Sequence, residues 1–183
     1  MQEIKLIRKI TDEDIGEIAK ENNDKYRLRK SARGIILNAQ GKIAILNKEN
    51  KNEFKLPGGG VDEGESYEQA FVREALEETG CKIDILDFLG YTEEIKSHEN
   101  FRQLSYCYVG KVIENTKSTG YTKKEIDEGA KILWLDIKEA YEKIKKSIGN
   151  IKGSKYDNLY RTKFIPVRDV VILEYYISKY IGK

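Results

Sequence analysis

The order of patterns along the chain predicts an α/β fold. Short β-rich runs with turn signals come first, one well-capped helix follows, more β-rich runs come next, and two helical segments close the chain. At 183 residues it reads as one domain with room for a substantial core. Its 33 basic residues nearly cancel its 31 acidic ones, so no strong field points to nucleic acid or to a membrane surface. The two cysteines, Cys81 and Cys107, lack metal-type spacing and read as buried thiols in a reducing cytoplasm. No apolar run is long enough to span a bilayer, and the polar N-terminus does not read as a signal peptide.

Residues 3–10 read as a short strand, and residues 12–22 as a polar helix or loop. Residues 1–30 are taken as an N-terminal extension, and residues 31–183 as the main domain with its C-terminal helices. Residues 31–37 and 42–47 are β-rich and flank Asn38-Ala39-Gln40-Gly41, a hairpin signature. Ser66 to Gln69 forms a capping box that opens a helix over Tyr67–Thr79, and Gly80 closes it. On that helix Val72, Ala75, Leu76 and Thr79 are expected to face a core, with Tyr67, Ala70 and Phe71 opposite. Residues 81–88 and 89–95 read as two strands, 103–112 as another, and 131–135 as a short one holding the single tryptophan, Trp134. Asp136, with Glu139, is expected to cap a helix over 137–148 that Gly149 ends. Residues 149–163 read as a polar loop, and Pro166 as the first turn of a terminal helix reaching Tyr180.

The central helix carries the chemistry. Glu74, Glu77 and Glu78 lie at i, i+3 and i+4, on one face and near its C-terminal end. Helix C-termini are electronegative, so acids there are disfavoured by about 0.3–1 kcal/mol each. Such a placement implies a compensating cation, most simply a hard divalent metal such as Mg2+. Arg73 stands one turn before Glu77 and can orient a carboxylate, and Glu65 precedes the helix within reach of the same site. The Gly58-Gly59-Gly60 turn lets backbone approach a ligand, with the Gly58 carbonyl as a further oxygen donor.

The stretch Gly59-x5-Glu65-x7-Arg73-Glu74-Ala75-Leu76-Glu77-Glu78-Thr79-Gly80-Cys81 resembles the Nudix box, G-x5-E-x7-R-E-U-x-E-E-x-G-U, over 23 residues. Every charged and glycine position agrees; Ala75 and Cys81 are small where the pattern has bulky aliphatics. The resemblance implies an α/β/α sandwich around a mixed sheet, over approximately residues 31 to 181. It implies an Mg2+-dependent pyrophosphohydrolase, with Mn2+ as the alternative metal, that cuts a phosphoric anhydride in a nucleoside diphosphate-linked small molecule. Under it Glu77 and Glu78 bind metal, Glu74 binds metal or helps activate water, Glu65 holds another metal or a coordinated water, and Arg73 orients the glutamates. A further acid from a loop outside the box is sought at Glu125 or Glu128, with Glu128 preferred.

Substrate markers narrow the choice only by elimination. Pro57 and Pro166 are the only prolines, so the proline that ADP-ribose hydrolases of the family tend to carry past the box is absent. The tyrosine of dinucleoside polyphosphate hydrolases is absent too, as are the NADH and coenzyme A signatures. What remains resembles the nucleoside triphosphate branch, which includes enzymes that clear oxidised dGTP. Tyr91, Tyr106, Tyr108 and Phe101 are candidates to stack on a base, and Arg102 and Gln103 to contact phosphate or base edges. His98, the single histidine, reads as exposed. ADP-ribose or a nucleotide sugar is the alternative substrate, and a non-catalytic nucleotide-binding module the alternative class. An isomerase of isoprenoid diphosphates on the same fold would need more histidines than this chain has. A homodimer, common on this fold, stays open.

Overall fold

The computed structural model describes residues 4–21 and 25–182. Residue 3 of the expected first strand and residue 22 of the expected N-terminal helix or loop lie outside them. Among the described residues, eight strands form one mixed sheet. They are β1 (Leu6–Ile10), β2 (Arg27–Leu37), β3 (Ile43–Lys48), β4 (Glu53–Lys55), β5 (Gly58–Gly60), β6 (Cys81–Lys96), β7 (Phe101–Asn115) and β8 (Ala130–Leu135). The order runs β1-β6-β7-β2-β3-β4, with β5 on β2 and β8 on β3. β1 runs parallel to β6, so part of the N-terminal extension completes the sheet edge.

The hairpin turn forms as its sequence implies. Asn38 Oδ1 accepts from the backbone N–H of Gln40 and Lys42, and Gly41 takes φ 72°. β2 starts at Arg27, four residues before the expected start, and pairs with β7 over its full length. Where two strands were expected, at 81–88 and 89–95, β6 is continuous, bent by register shifts at Lys82/Ile83, Ile85/Asp87 and Phe88/Gly90. Gly34 marks the tightest strand approach: a Cβ there would stand 1.9 Å from the Tyr108 carbonyl oxygen.

Helix α1 (Tyr67–Thr79) packs on one face of the sheet through Ala70, Phe71 and Ala75, against Ala32, Ile36, Ile83, Tyr106 and Tyr108. The expected burial of its Val72–Leu76 side is corrected: both residues are partly exposed, and Ala70 and Phe71 are buried with Ala75. The other face carries α3 (Ile137–Ser147) and α4 (Leu159–Tyr180), packed on Ile35, Ile45, Leu89, Cys107 and Val109. This is an α/β/α arrangement, as expected. A short helix, α2 (Lys123–Asp127), stands where a charged loop was expected, capped by Thr122 and Glu125.

Two helix boundaries differ from expectation. Asp136 precedes α3 but makes no side-chain cap bond, and the helix ends at Ser147, one residue before the expected 148, with Ile148 as its cap. α4 begins at Leu159, capped by Asn158, whose side chain accepts from the Arg161 N–H at 2.8 Å. Pro166 therefore sits inside the helix, not in its first turn. An interior proline costs about 3 kcal/mol. Burial of Phe164 against Ile10 and Val167 offsets it, and extends the helix into the stretch that reads as polar loop.

Candidate active site

The capping box of α1 forms as its sequence implies: Ser66 Oγ accepts from Gln69 N at 3.1 Å, and Gln69 Oε1 from Ser66 N at 2.8 Å. Gly80 ends the helix at φ 69°, and no basic residue occupies its last turn. The fixed helix rise then sets the acids. Arg73 is their hub. It donates through Nε and one terminal nitrogen to both Glu65 oxygens, at 2.9 and 3.0 Å, and through the other to Glu74 Oε1 at 2.8 Å and Glu77 Oε2 at 3.2 Å. It also donates to the Gly60 carbonyl at 2.9 Å. These bonds hold the Glu65 carboxyl below its usual range and raise Arg73.

Glu78 is set deeper, at 3% exposure. Its carboxylate accepts from the Gly58 N–H at 2.7 Å and from Lys55 Nζ at 2.8 Å. Burial raises its pKa despite those two partners. Gly58 takes φ +143° and meets Arg33 across the β2–β5 pair, a conformation and approach that only glycine supports. A Cβ on Gly59 would lie 2.3 Å from Glu74 Oε1, so the glycine turn and the carboxylate share one cradle.

Among the described residues no three acidic, histidine or cysteine side chains stand ready-grouped as a metal cage. Arg73 and Lys55 draw the carboxylates to themselves instead. The donor set still fits a hard cation, being carboxylate and carbonyl oxygen throughout. Lys55 demonstrates the fit: its ammonium is held by Glu78 and by the Gly58 carbonyl, at 3.1 Å, the two oxygens expected to hold a metal.

These groups open on a cleft of about 680 Å3. Gly58, Glu74, Glu77 and Glu78 line it; Glu65 and Arg73 do not, and reach it through the Arg73 bonds to Glu74 and Glu77. Beyond the acids its wall is cationic: ten Lys and Arg side chains line it against six Asp and Glu, so it favours a polyanion. Arg27, Arg29 and Arg33 supply part of that wall from β2, at alternate positions that share a strand face. Sequence reasoning passed over them, though the period-two spacing was visible.

The remaining candidates divide. Gln103 lines the cleft, its amide donating to Glu94 at 2.8 Å. Phe101 lines it as well, under the Arg27 guanidinium at 4.9 Å. Tyr91 and Tyr106 lie on the opposite sheet face, where Tyr106 stacks on Tyr67 of α1 at 3.7 Å and Tyr91 packs beside it. Tyr108 is buried there too and donates to Glu68. Arg102 shares that alternation and pairs with Glu93. The physical reason is the pleat: successive β7 residues point to opposite faces, and only the odd-numbered set at 101 and 103 reaches the cleft. Glu128 is not among the residues that line the cleft; it is buried and bonded to Lys48 at 2.8 Å and to Ser154 at 2.6 Å. Glu125 lines the cleft instead, while capping α2. His98 stacks on Tyr160 at 4.6 Å, away from the cleft.

The family model for the NUDIX domain matches residues 27–154. A putative 8-oxo-dGTP diphosphatase of Bacillus subtilis is 50% identical over 78 residues, covering 43% of this chain and 50% of the relative. An RNA pyrophosphohydrolase of Sphingopyxis alaskensis is 30% identical over 93 residues, covering 50% and 56%. The chain thus spans about half the length of the curated relatives it matches. Among solved structures, a NUDIX hydrolase from Nitrosomonas europaea superposes with a TM-score of 0.60 at 18% identity, over 84% of this chain and 90% of that one. The ORF135 protein of E. coli superposes at 0.52 and 16% identity, over 86% and 94%. These two neighbours establish the fold. The match of the family model, over more than half of the chain, establishes that the chain belongs to the Nudix family.

Proposed function

We propose, from that membership and the cleft, that the protein is a Mg2+-dependent pyrophosphohydrolase acting on a nucleoside triphosphate or an oxidised nucleotide. The observation that carries the proposal is the union, in one cleft, of a carboxylate cluster at a helix C-terminus and a cationic wall. The acids suit divalent cations; the wall suits phosphate charge. The relatives, a putative 8-oxo-dGTP diphosphatase and an RNA pyrophosphohydrolase, support the same substrate chemistry.

In this reading Glu77, Glu78 and the Gly58 carbonyl hold Mg2+, or Mn2+ in its place, with Glu65 completing the set, and Glu74 is kept for activating water. A divalent metal there neutralises phosphate charge and lowers the pKa of a bound water. Arg73 fixes Glu65 and Glu74 so that the acids keep their positions while charge builds. Glu74 has Oε1 engaged by Arg73, leaving Oε2 to accept the proton of the attacking water. That water adds to phosphorus, the anhydride P–O bond breaks, and the departing phosphate takes the bond's electron pair. Lys124 and Arg29 line the cleft where departing charge is stabilised. Glu125 lines the cleft and is the loop acid assigned to this chemistry, and Gln103 and Phe101, which line it too, are assigned to a base or sugar.

A substrate panel tests the reading. Phosphate and pyrophosphate release is followed with Mg2+ for NTPs, dNTPs, 8-oxo-dGTP, 5′-triphosphorylated RNA, ADP-ribose and a nucleotide sugar. Turnover of a triphosphate member is expected. Turnover confined to ADP-ribose or the nucleotide sugar would contradict the substrate assignment.

A further inference from the structure

Beneath the cationic wall lies a buried charge cluster that does not balance. Arg33 is 4% exposed and lines the cleft from β2. Its hydrogen bond within the described residues is a long one, 3.4 Å, to Ser31 Oγ, and its Nε is buried without a partner. Arg168, from α4, is equally buried and lines the same cleft. Its Nε donates to Asp169 at 2.7 Å, it reaches Glu94 at 3.4 Å, and one terminal nitrogen has no partner. Lys96 pairs with Glu94 at 3.2 Å. Asp169 is committed elsewhere too, accepting the Leu56 N–H at 2.8 Å.

Three buried cations therefore share two carboxylates. Burying an uncompensated charge costs several kcal/mol, and folding alone gives no reason to keep one. Two guanidinium groups that line one cleft, each with a buried nitrogen left unpartnered, match the oxygens of a phosphate.

We propose that Arg33 and Arg168 form a seat for the terminal phosphate of the substrate, on the cationic side of the cleft. A terminal phosphate offers three free oxygens and up to two charges. An internal phosphate of a diphosphate diester, as in ADP-ribose, offers fewer of both. The seat therefore selects nucleotides that end in a free phosphate. This inference rests on the hydrolase reading for its substrate, but the seat itself is testable without turnover.

The test is titration calorimetry of inorganic tripolyphosphate in excess EDTA, on wild type, Arg33→Met and Glu77→Gln, with melting temperatures for all three. Wild type and Glu77→Gln are expected to bind alike. Arg33→Met is expected to bind about tenfold to a hundredfold more weakly. It is also expected to melt at or above the wild-type temperature, since an unpaired buried charge is gone. Arg33→Met that binds like wild type, or that melts well below it, would overturn the proposal, as would wild type that does not bind. Binding by a chain that turns over no substrate would sink the hydrolase reading and leave the seat standing.

Discussion

At the residue scale the site depends on Arg73, one side chain that grips three carboxylates. Lysine keeps the charge but loses the planar fork that spans both Glu65 oxygens. Arg73→Lys is expected to lower kcat by about 10–100-fold, the usual cost of removing a group that orients metal ligands, with far-UV circular dichroism unchanged. Glu94 gives a pH signature. Burial raises its carboxyl, but Lys96, Arg168 and Arg33 outweigh that, and the folded pKa lies below the ordinary 4.5. Its stabilisation is therefore present above 4.5 and lost as pH falls through the lower folded value. Glu94→Gln should melt well below wild type near neutrality, by the equivalent of about 3–5 kcal/mol. The gap should narrow in acid; a constant gap would contradict this account. The box residues were legible in the sequence because one helix of fixed rise places them. Tyr91, Arg102 and Tyr106 were not, since alternation along a strand separates two faces without saying which one meets a helix and which a cleft.

At the element scale β2 and α4 do the positioning. Ala32 and Ile36 face α1, while Ile35 joins the core under α4 and Arg33 the cleft on that side. Gly34→Val should prevent β2 and β7 from pairing as they do, because a Cβ would meet the Tyr108 carbonyl. A loss of about 3 kcal/mol or more in urea unfolding, or failure to fold, is expected. Asn158 caps α4, which brings Arg168 to the cleft. Asn158→Ala is expected to cost about 1 kcal/mol in the same measurement. The start of α4 was hidden because proline signals a first turn, and nothing local announces that Phe164 will be buried against β1. The other caps and the hairpin were legible because their signals act over three or four residues.

At the scale of the whole molecule, near-zero net charge hides a strong internal separation. Acids gather at the end of α1, while basic residues from β2, β3, β4, α2 and α4 line the rest of one cleft. That separation needs the sheet order to bring β2 beside both β7 and β5, which composition does not reveal. It suits the proposed function, a polyanion that arrives with, or meets, divalent cations. The most direct test is steady-state pyrophosphate release from a nucleoside triphosphate, with and without Mg2+, by wild type and by Glu77→Gln. Glu77 is half-exposed, so the isosteric change should leave the fold intact. Mg2+-dependent turnover that drops by at least about 100-fold in the variant is the predicted result. Turnover that survives EDTA, or that Glu77→Gln leaves unchanged, would contradict a metal-dependent hydrolase centred on these carboxylates.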